Sequence, residues 1–265
     1  MNFSIDRVRS FRSLRLACTV AAVFAAACGT KDAPDPLQPT AGQGRIRFVN
    51  LITDPSRNPV NAILENVVFG VNLAYTGTTP SSLASPSTAN FAPIYEGARA
   101  LVLRKTADTN VVVATLPITI AAGTDYTLYA TGGTGGGTVT GFTVAESNPA
   151  ITTGQVRIKF VNMSPTAGAV DVFITAPNAD LVTATPAATN VATRAMFPGA
   201  LFAAGAYQIR TVPAGTAPAA RPGAVNSSLT QPAFPAIPAN AGRTIVLADA
   251  PAGGTPLRLF ALPDQ

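Results

Sequence analysis

The chain repeats one short stretch in which apolar and basic side chains alternate. Arg45–Asn50 reads RIRFVN, with Ile46 and Phe48 on one face, and Arg157–Asn162 reads RIKFVN 112 residues later. A period of two is the pattern of a β-strand with one buried face. We therefore expect two equivalent strands, each with its basic side chains on the opposite face.

Three further landmarks follow both copies in the same order, which indicates a duplicated unit rather than a chance similarity between β-rich segments. They pair residues 60–63 with 170–173, 96–101 with 204–209, and 122–128 with 241–247. The sequence thus predicts two β-sandwich repeats, at residues 44–149 and 150–265. Because the segment between them is short, we expect the repeats to lie end to end with limited hinge freedom.

Short β-branched runs separated by turn residues predict an all-β protein. The 22 glycines and 23 prolines recur throughout the chain and leave little room for a long helix. Seven or eight short strands per repeat are typical of an immunoglobulin-like β-sandwich. The strand candidates are 44–51, 60–64, 66–75, 89–95, 99–105, 110–118, 124–131 and 138–145 in the first repeat, and 155–163, 169–175, 179–184, 191–197, 206–212, 228–234, 243–249 and 256–261 in the second.

The charge of the chain is concentrated at its N-terminus. The formal net charge is +5, but four arginines lie within residues 1–15, and the chain after residue 27 holds 14 basic and 12 acidic side chains. Such a weakly charged surface lacks the basic patch that nucleic-acid binding requires, so no nucleic-acid partner is expected.

Residues 1–27 have the organisation of a secretory signal peptide. Four arginines precede an apolar run of about 12 residues that ends at Cys28, whereas a membrane-spanning helix needs about 20. The ending AAAC resembles the lipobox of bacterial lipoproteins, which implies that Cys28 becomes the lipidated first residue. The family prefers leucine where this chain has Ala25, and Ala25 with Ala27 also forms an A-x-A cleavage site. The alternative is therefore an ordinary signal peptidase and a freely secreted protein.

The segment after the signal reads as a flexible tether over residues 28–43. It contains three prolines and few apolar residues. By resemblance to lipoprotein sorting rules, Gly29 after the lipidated cysteine favours the outer membrane, in a periplasmic or surface-facing orientation. The expected membrane partner is reached through the lipid anchor at Cys28. Since Cys18 lies in the signal peptide, no intramolecular disulfide is expected.

The residue types exclude several kinds of active site. The chain has no histidine, so a Ser-His-Asp or Cys-His arrangement and a histidine-based zinc site are impossible. A Ser-Lys dyad would have to use Lys105 or Lys159, and we expect both on solvated strand faces. Paired carboxylates could support glycoside hydrolysis, but the acidic residues are scattered, with no close pair. Turn and strand-edge roles are expected for all of them: Asp54, Glu65, Glu96, Asp108, Asp125, Glu146, Asp171, Asp180, Asp249 and Asp264.

Two other stretches invite a binding hypothesis. Asp54, Asn58 and Asn61 offer oxygen ligands for calcium, although their spacing matches no EF-hand loop and an Asx-type turn is the alternative. The glycine-rich stretch at residues 132–141 lacks the Lys-Ser/Thr ending of a phosphate-binding loop, and we interpret it as a flexible hairpin loop. No catalytic residue, cofactor or metal ligand is therefore predicted.

Three stretches resemble the bacterial domain-of-unknown-function family 4397 (DUF4397). They are Val156–Ile174, Ala203–Thr216 and Ala121–Gly133. The resemblance implies two tandem β-sandwich domains on a secreted protein or lipoprotein, and it implies no activity. We expect a non-catalytic cell-envelope lipoprotein with a binding, adhesion or spacer role toward a protein or glycan ligand. The alternatives are a subunit of a surface assembly and a carboxylate-dependent hydrolase.

Overall fold

The protein is described by a computed structural model that covers residues 42–80, 90–229 and 237–264. All of them lie in one compact unit that spans Pro39–Gln265. The predicted signal peptide, Cys28 and nearly all of the predicted tether lie outside the described residues. Strands form most of the described chain, whose helices are three short 3-10 segments, Pro55–Arg57, Thr134–Gly136 and Pro218–Ala224. The all-β prediction is therefore confirmed.

The described strands fall into two successive sets. The first set is β1 (Gln43–Ile52), β2 (Val60–Leu64), β3 (Val67–Leu73), β4 (Thr78–Thr79), β5 (Ala92–Tyr95), β6 (Gly97–Lys105), β7 (Asp108–Ile120), β8 (Asp125–Gly132) and β9 (Val139–Glu146). The second set is β10 (Gln155–Asn162), β11 (Val170–Thr175), β12 (Ala188–Val191), β13 (Ala195–Ala203), β14 (Gln208–Pro213), β15 (Ser227–Leu229), β16 (Gly242–Ala248) and β17 (Arg258–Pro263). We call them the first half and the second half.

Each half forms two sheets with the same strand topology. The first outer sheet has the order β3-β2-β6-β7, and the second outer sheet has β12-β11-β14-β15. The first inner sheet has the order β4-β1-β8-β9, with β5 also paired to β1, and the second inner sheet has β13-β10-β16-β17. The segment that the sequence repeats, β1 and β10, therefore has the same place in both halves.

Each inner sheet contains one parallel pair, whereas the sheets of an immunoglobulin sandwich are antiparallel. β1 runs parallel to β8 with Arg47 opposite Thr127, and β10 runs parallel to β16 with Lys159 opposite Thr244. The remaining neighbours in all four sheets are antiparallel. In both halves, the parallel pair therefore places a basic residue opposite a threonine.

Three apolar layers lie between the four sheets. Residues such as Phe48 and Leu103 fill the space between the first outer and first inner sheets. A separate layer that includes Val172 and Ile245 does the same in the second half. The middle layer joins the two inner sheets through Val49, Leu51, Tyr129, Val144, Val161, Met163, Val246, Ala248 and Leu262. The sheets therefore stack in the order outer, inner, inner, outer.

Stacking buries both faces of the central strands of the inner sheets, β1, β8, β10 and β16, as is usual for parallel strands. In β1, Ile46 and Phe48 face the outer sheet of their own half, while Val49 and Leu51 face the second inner sheet. Full burial of one such side chain stabilises the fold by about 1.5–3 kcal/mol. The period of two is therefore correct for the strand, but the second face is not solvated.

Two expectations about the architecture are wrong. The halves do not lie end to end, because their inner sheets pack face to face through the middle layer. The predicted strand at 179–184 is a region of turns, and the predicted strand at 191–197 falls across the end of β12 and the start of β13. Turn hydrogen bonds, such as the one from Val182 N to Asp180 Oδ1, replace a ladder in the first of these segments.

Candidate functional site

Four charged side chains meet where the two inner sheets pack together. Arg47 lies on β1 and Glu146 ends β9 in the first half, while Lys159 lies on β10 and Asp264 follows β17 in the second. All four side chains are at most 3% exposed. We call these four residues the ion cluster.

Each cation of the ion cluster contacts both carboxylates. Arg47 Nη2 lies 2.9 Å from Glu146 Oε1 and 3.2 Å from Asp264 Oδ1. Lys159 Nζ donates to Glu146 Oε2 and lies 3.2 Å from Asp264 Oδ2. Arg47–Asp264 and Lys159–Glu146 therefore join one half to the other. Because an unpaired buried charge is strongly unfavourable, the four charges hold each other in place.

A threonine supports each carboxylate in the same way. Thr127 Oγ1 donates to Glu146 Oε1, and Thr244 Oγ1 lies 3.0 Å and 2.9 Å from the two carboxylate oxygens of Asp264. Each threonine is the register partner of the cation in its own half. The two halves thus contribute the same set of a cation, a threonine and an acid.

The remaining donors of the two cations differ. Arg47 Nε donates to Thr127 Oγ1 at 3.1 Å, and Nη1 donates to the carbonyl of Pro263 at 2.6 Å. Lys159 Nζ donates to Asn148 Oδ1 at 2.9 Å. Each cation therefore makes one further contact beside the acid of the other half, but Arg47 reaches a backbone carbonyl and Lys159 a side-chain amide.

Close neighbours shape the space around the two cations. The guanidinium carbon of Arg47 lies 4.5 Å from the centre of the Phe91 ring, within the range of a cation–π interaction. Gly199 lies beside Lys159, where an added Cβ would come within 2.8 Å of both the Ile158 carbonyl oxygen and the Lys159 Cγ. With a φ of +98°, Gly199 also has a backbone conformation that favours glycine.

Burial and charge act differently on the two carboxylates. Burial raises the pKa of Glu146, but the charges of Arg47 and Lys159 outweigh burial and hold that pKa below its usual value. At Asp264 burial outweighs the same two cations, and the neighbouring Glu146 charge adds to it, so the pKa is raised. Glu146 is therefore the more firmly ionised of the two.

The chemistry of the ion cluster is that of a structural contact. Each carboxylate oxygen of Glu146 and Asp264 has at least one protein donor. General acid or base catalysis requires that such an oxygen reach a substrate proton. A cavity of about 380 Å³ lies elsewhere, beside Ser227, Arg258 and Phe260, and no member of the ion cluster lines it.

Two predictions about charged residues are wrong here. Lys159 was expected on a solvated strand face, and Glu146 and Asp264 were expected to lie apart. Both expectations assumed that the second face of each strand meets water, whereas the stacked inner sheets bury it. One sequence signal was available, because the two copies keep a cation at the same strand position, Arg47 and Lys159.

Among the other described acidic residues, Asp108 and Asp180 have the turn role that the sequence predicts, whereas Asp125 and Asp171 are buried residues of β8 and β11. Asp108 and Asp180 each accept a hydrogen bond from the backbone N–H two residues later. The others pair as follows: Glu65 with Arg99, Asp125 with Arg45, Asp171 with the backbone N–H of Asn190 and Gly215, and Asp249 with Ser164 and Thr166. Lys105 lies half-buried at the end of β6.

The structure shows the contacts of the three residues considered for calcium binding and the position of the glycine-rich stretch. Asp54 Oδ1 accepts from Ser56 N at 2.9 Å, as in an Asx turn. Asn58 and Asn61 direct their side-chain oxygens to Asn50 Nδ2 and to Asn72 N respectively, so the three residues do not share one centre. Within the stretch 132–141, residues 133–138 connect β8 to β9 as a hairpin loop, and the remaining residues belong to the two strands.

The asparagine that ends the repeated stretch, Asn50 or Asn162, makes the same hydrogen bonds in each half. Asn50 Nδ2 donates to the Leu73 carbonyl, and Asn162 Nδ2 donates to the Val191 carbonyl, both at 2.9 Å. The Oδ1 of each asparagine accepts from the backbone N–H two residues later, at 3.1 Å in both halves. The repetition of RIRFVN and RIKFVN therefore preserves a strand, a buried cation and a loop contact together.

Among residues 42–80, 90–229 and 237–264, no group of three or more histidine, cysteine or acidic side chains is arranged to hold a metal ion. Within the same ranges, no helix has the length and apolar character needed to cross a membrane.

Comparison with known protein families supports the resemblance noted above. Residues 55–173 match the family described as Domain of unknown function (DUF4397). The family resemblance is thereby confirmed for this part of the chain. The match begins after β1 and ends in β11, so it includes strands of both halves. Two tandem copies of the family domain, with the boundaries given above, stay a prediction.

Comparison with solved structures finds distant similarities. A candidate cell adhesion protein from Bacteroides uniformis has 9% identity and a TM-score of 0.25, with 84% of this chain and 99% of that chain covered. A leucine-rich repeat protein from Bacteroides thetaiotaomicron has 12% identity and a TM-score of 0.18, with 79% of this chain and 26% of that chain covered. At these TM-scores neither similarity bears on function. A comparison with curated proteins finds no match.

Proposed function

We propose that this protein is a non-catalytic lipoprotein of the cell envelope. In this proposal the lipidated Cys28 anchors it to the outer membrane, and the stacked sheets serve in binding, adhesion or as a spacer. The main support is the ion cluster. Glu146 and Asp264, the two carboxylates that share both cations, join two sheets, and neither lines the cavity beside Ser227 and Phe260.

The stacked architecture suits a spacer or binding body. The central strands of its two inner sheets are buried on both faces, and the interface between the sheets combines an apolar layer with four ion pairs. Such a body resists hinge motion between the halves, because opening it would expose both the apolar layer and the charges. A rigid body on a tether holds a binding surface at a defined distance from the membrane.

The anchor is tested by intact-mass measurement of the membrane-extracted protein. We expect an acylated Cys28 as residue 1, and we expect Cys28→Ala to release the protein into the soluble fraction. An unmodified wild-type mass from the soluble fraction would leave a freely secreted protein and refute the anchor.

The absence of catalysis is tested with a panel of glycoside, ester and peptide substrates. We expect no saturable hydrolysis by the wild type. The non-catalytic proposal fails if hydrolysis is saturable and is abolished by Asp264→Asn in a variant that keeps the wild-type circular dichroism spectrum. Glu65→Gln, which changes an exposed acid, serves as the matched control.

A second candidate function, subunit of a surface assembly, rests on the exposed valines of the first outer sheet. Val67, Val68 and Val71 on β3 are 67%, 58% and 53% exposed, and Val111 and Val112 on β7 are 46% and 49% exposed. β3 and β7 are the two edge strands of that sheet. Exposed apolar edges are the usual sites of strand pairing between subunits.

Sedimentation of the Cys28→Ala protein distinguishes the two candidates. If the edge of β3 pairs with a neighbouring subunit, the wild-type edge associates with rising concentration and Val68→Lys abolishes the association. Val182→Lys is the matched control, since Val182 is 40% exposed but lies outside this sheet. A strictly monomeric wild type at high concentration would count against the assembly.

A further inference from the structure

The interface between the two inner sheets has the character of a symmetric dimer interface. Arg47, Thr127 and Glu146 occupy the same places in the first half as Lys159, Thr244 and Asp264 in the second. Each cation contacts the acid of its own half and the acid of the other half. An isologous interface has this self-complementary form, in which the same patch meets itself.

The connection between the halves is short and direct. β9 ends at Glu146 and β10 begins at Gln155, so the eight residues 147–154 join one inner sheet to the other. Fully extended, such a segment spans about 26 Å. That length lets the second half leave its own first half and reach the first half of a second molecule.

We propose that the partner which fits this interface is a second copy of the same chain. In the exchanged dimer, the first inner sheet of each copy packs on the second inner sheet of the other. The apolar contacts of the middle layer and the four ion pairs of the ion cluster are retained, because the two surfaces that meet are unchanged. The hydrogen bond from Lys159 to Asn148 lies in the connecting segment and changes with its path. Only the path of residues 147–154 differs between the monomer and the exchanged dimer.

Concentration decides between the two forms. A short linker gives the attached half an effective concentration in the millimolar range, so the monomer dominates in dilute solution. Exchange therefore requires that the interface open once and then close at high protein concentration. Confinement of many copies to one membrane surface would favour it in the same way.

The direct ion pair between Glu146 and Lys159 allows a sharp test on the full chain in detergent. One chain carries Glu146→Lys and a second carries Lys159→Glu. Alone, each places an excess of like charge at its own interface. Mixed, the Glu146→Lys surface of one copy meets the Lys159→Glu surface of the other, and the second interface of the pair is wild type.

The two chains are unfolded, mixed and refolded, and then separated by size with light scattering. We expect a species of about twice the mass of one chain, containing both variants, at a level about ten-fold or more above that of either variant alone. The single-chain double variant E146K/K159E is the control, because its monomer has a balanced interface. The proposal is overturned if E146K/K159E refolds and the mixture yields only the products of the separate chains.

Linker length gives a second test that does not depend on charge reversal. Wild-type protein refolded at increasing concentration is expected to form more dimer, and ten added Gly/Ser residues within 147–154 are expected to reduce that fraction. Failure of the wild type to form any dimer at the highest concentration overturns the proposal. A dimer fraction that does not change with linker length also overturns the proposal, since such a dimer would form through another surface.

Discussion

Replacing Glu146 by glutamine tests whether the ion cluster holds the two inner sheets together. The wild-type carboxylate accepts hydrogen bonds from Arg47, Lys159 and Thr127 in a site with no exposed side-chain surface. Glutamine keeps the size of the side chain but removes its charge, and its amide group directs donors toward two cations. Asp264 is then the one acidic member of the cluster facing both cations.

The expected loss is large because one partner of a buried charge network is removed while the others stay. Such changes cost about 3–5 kcal/mol. For a folded body of this size, that loss corresponds to a decrease in Tm of about 6–20 °C. Exposed ion pairs contribute about 0–1 kcal/mol, and Glu65 paired with Arg99 is of that kind, with a side chain 44% exposed. Glu65→Gln is therefore the matched control.

The free energy of unfolding is measured for the wild type and both variants by urea denaturation at neutral pH, and Tm by calorimetry. We expect E146Q to be less stable than E65Q by at least about 2 kcal/mol. If the two variants lie within 1 kcal/mol of each other, as exposed pairs do, the ion cluster does not stabilise the contact between the inner sheets.

Four further outcomes follow from the buried polar contacts of the two halves. Apolar residues of similar size at all four positions of the ion cluster are expected to leave the unfolding free energy unchanged or to raise it by about 1–4 kcal/mol, measured by the same denaturation, because no charge is left unpaired. The folded pKa of Glu146 lies below its ordinary 4.5, so its stabilising contribution is complete above pH 4.5 and is lost as the pH falls through the folded value. The stability gap between the wild type and E146Q should therefore narrow on acidification. The folded pKa of Asp264 is raised, so its contribution is complete below pH 3.8 and is lost as the pH rises through the folded value. The gap between the wild type and D264N should therefore narrow over that rise in pH. Asn162→Ala leaves two carbonyls and one N–H without their side-chain partner and should cost about 2–4 kcal/mol by urea denaturation, against about 0.5 kcal/mol or less for the exposed Asn110→Ala.

Most of the strands could be predicted from the sequence, because local alternation and turn residues determine them. β2 matches its predicted range of 60–64, and β6, β8, β10 and β16 lie within two residues of theirs. The parallel pairing of β1 with β8 could not be predicted in this way, because alternation does not identify a strand's neighbours. The repeated landmarks indicated equivalent halves, and the shared strand order of the sheets agrees with them.

The ion cluster could not be predicted from one strand at a time. A basic residue that alternates with Ile46 and Phe48 is ordinarily solvated, and nothing local to β1 or β10 contradicts that interpretation. The contact appears only when two inner sheets stack, which brings Glu146 and Lys159 together across the halves. The duplication adds a signal that a single strand lacks. Arg47 and Lys159 occupy the same strand position in the two copies, and in the structure they share Glu146 and Asp264.

The difference between the two cations determines which halves fit together. The guanidinium of Arg47 donates to the Pro263 carbonyl of the second half in addition to the two carboxylates, and it stacks near Phe91. Lys159 carries a smaller ammonium group, and Gly199 packs closely beside the aliphatic part of its side chain. Two first halves would bring two guanidinium groups into a space shaped for one guanidinium and one ammonium, and crowding of this kind is unfavourable in a packed interior. The near-symmetric interface therefore favours the pairing of a first half with a second half, whether the second half comes from the same chain or from another.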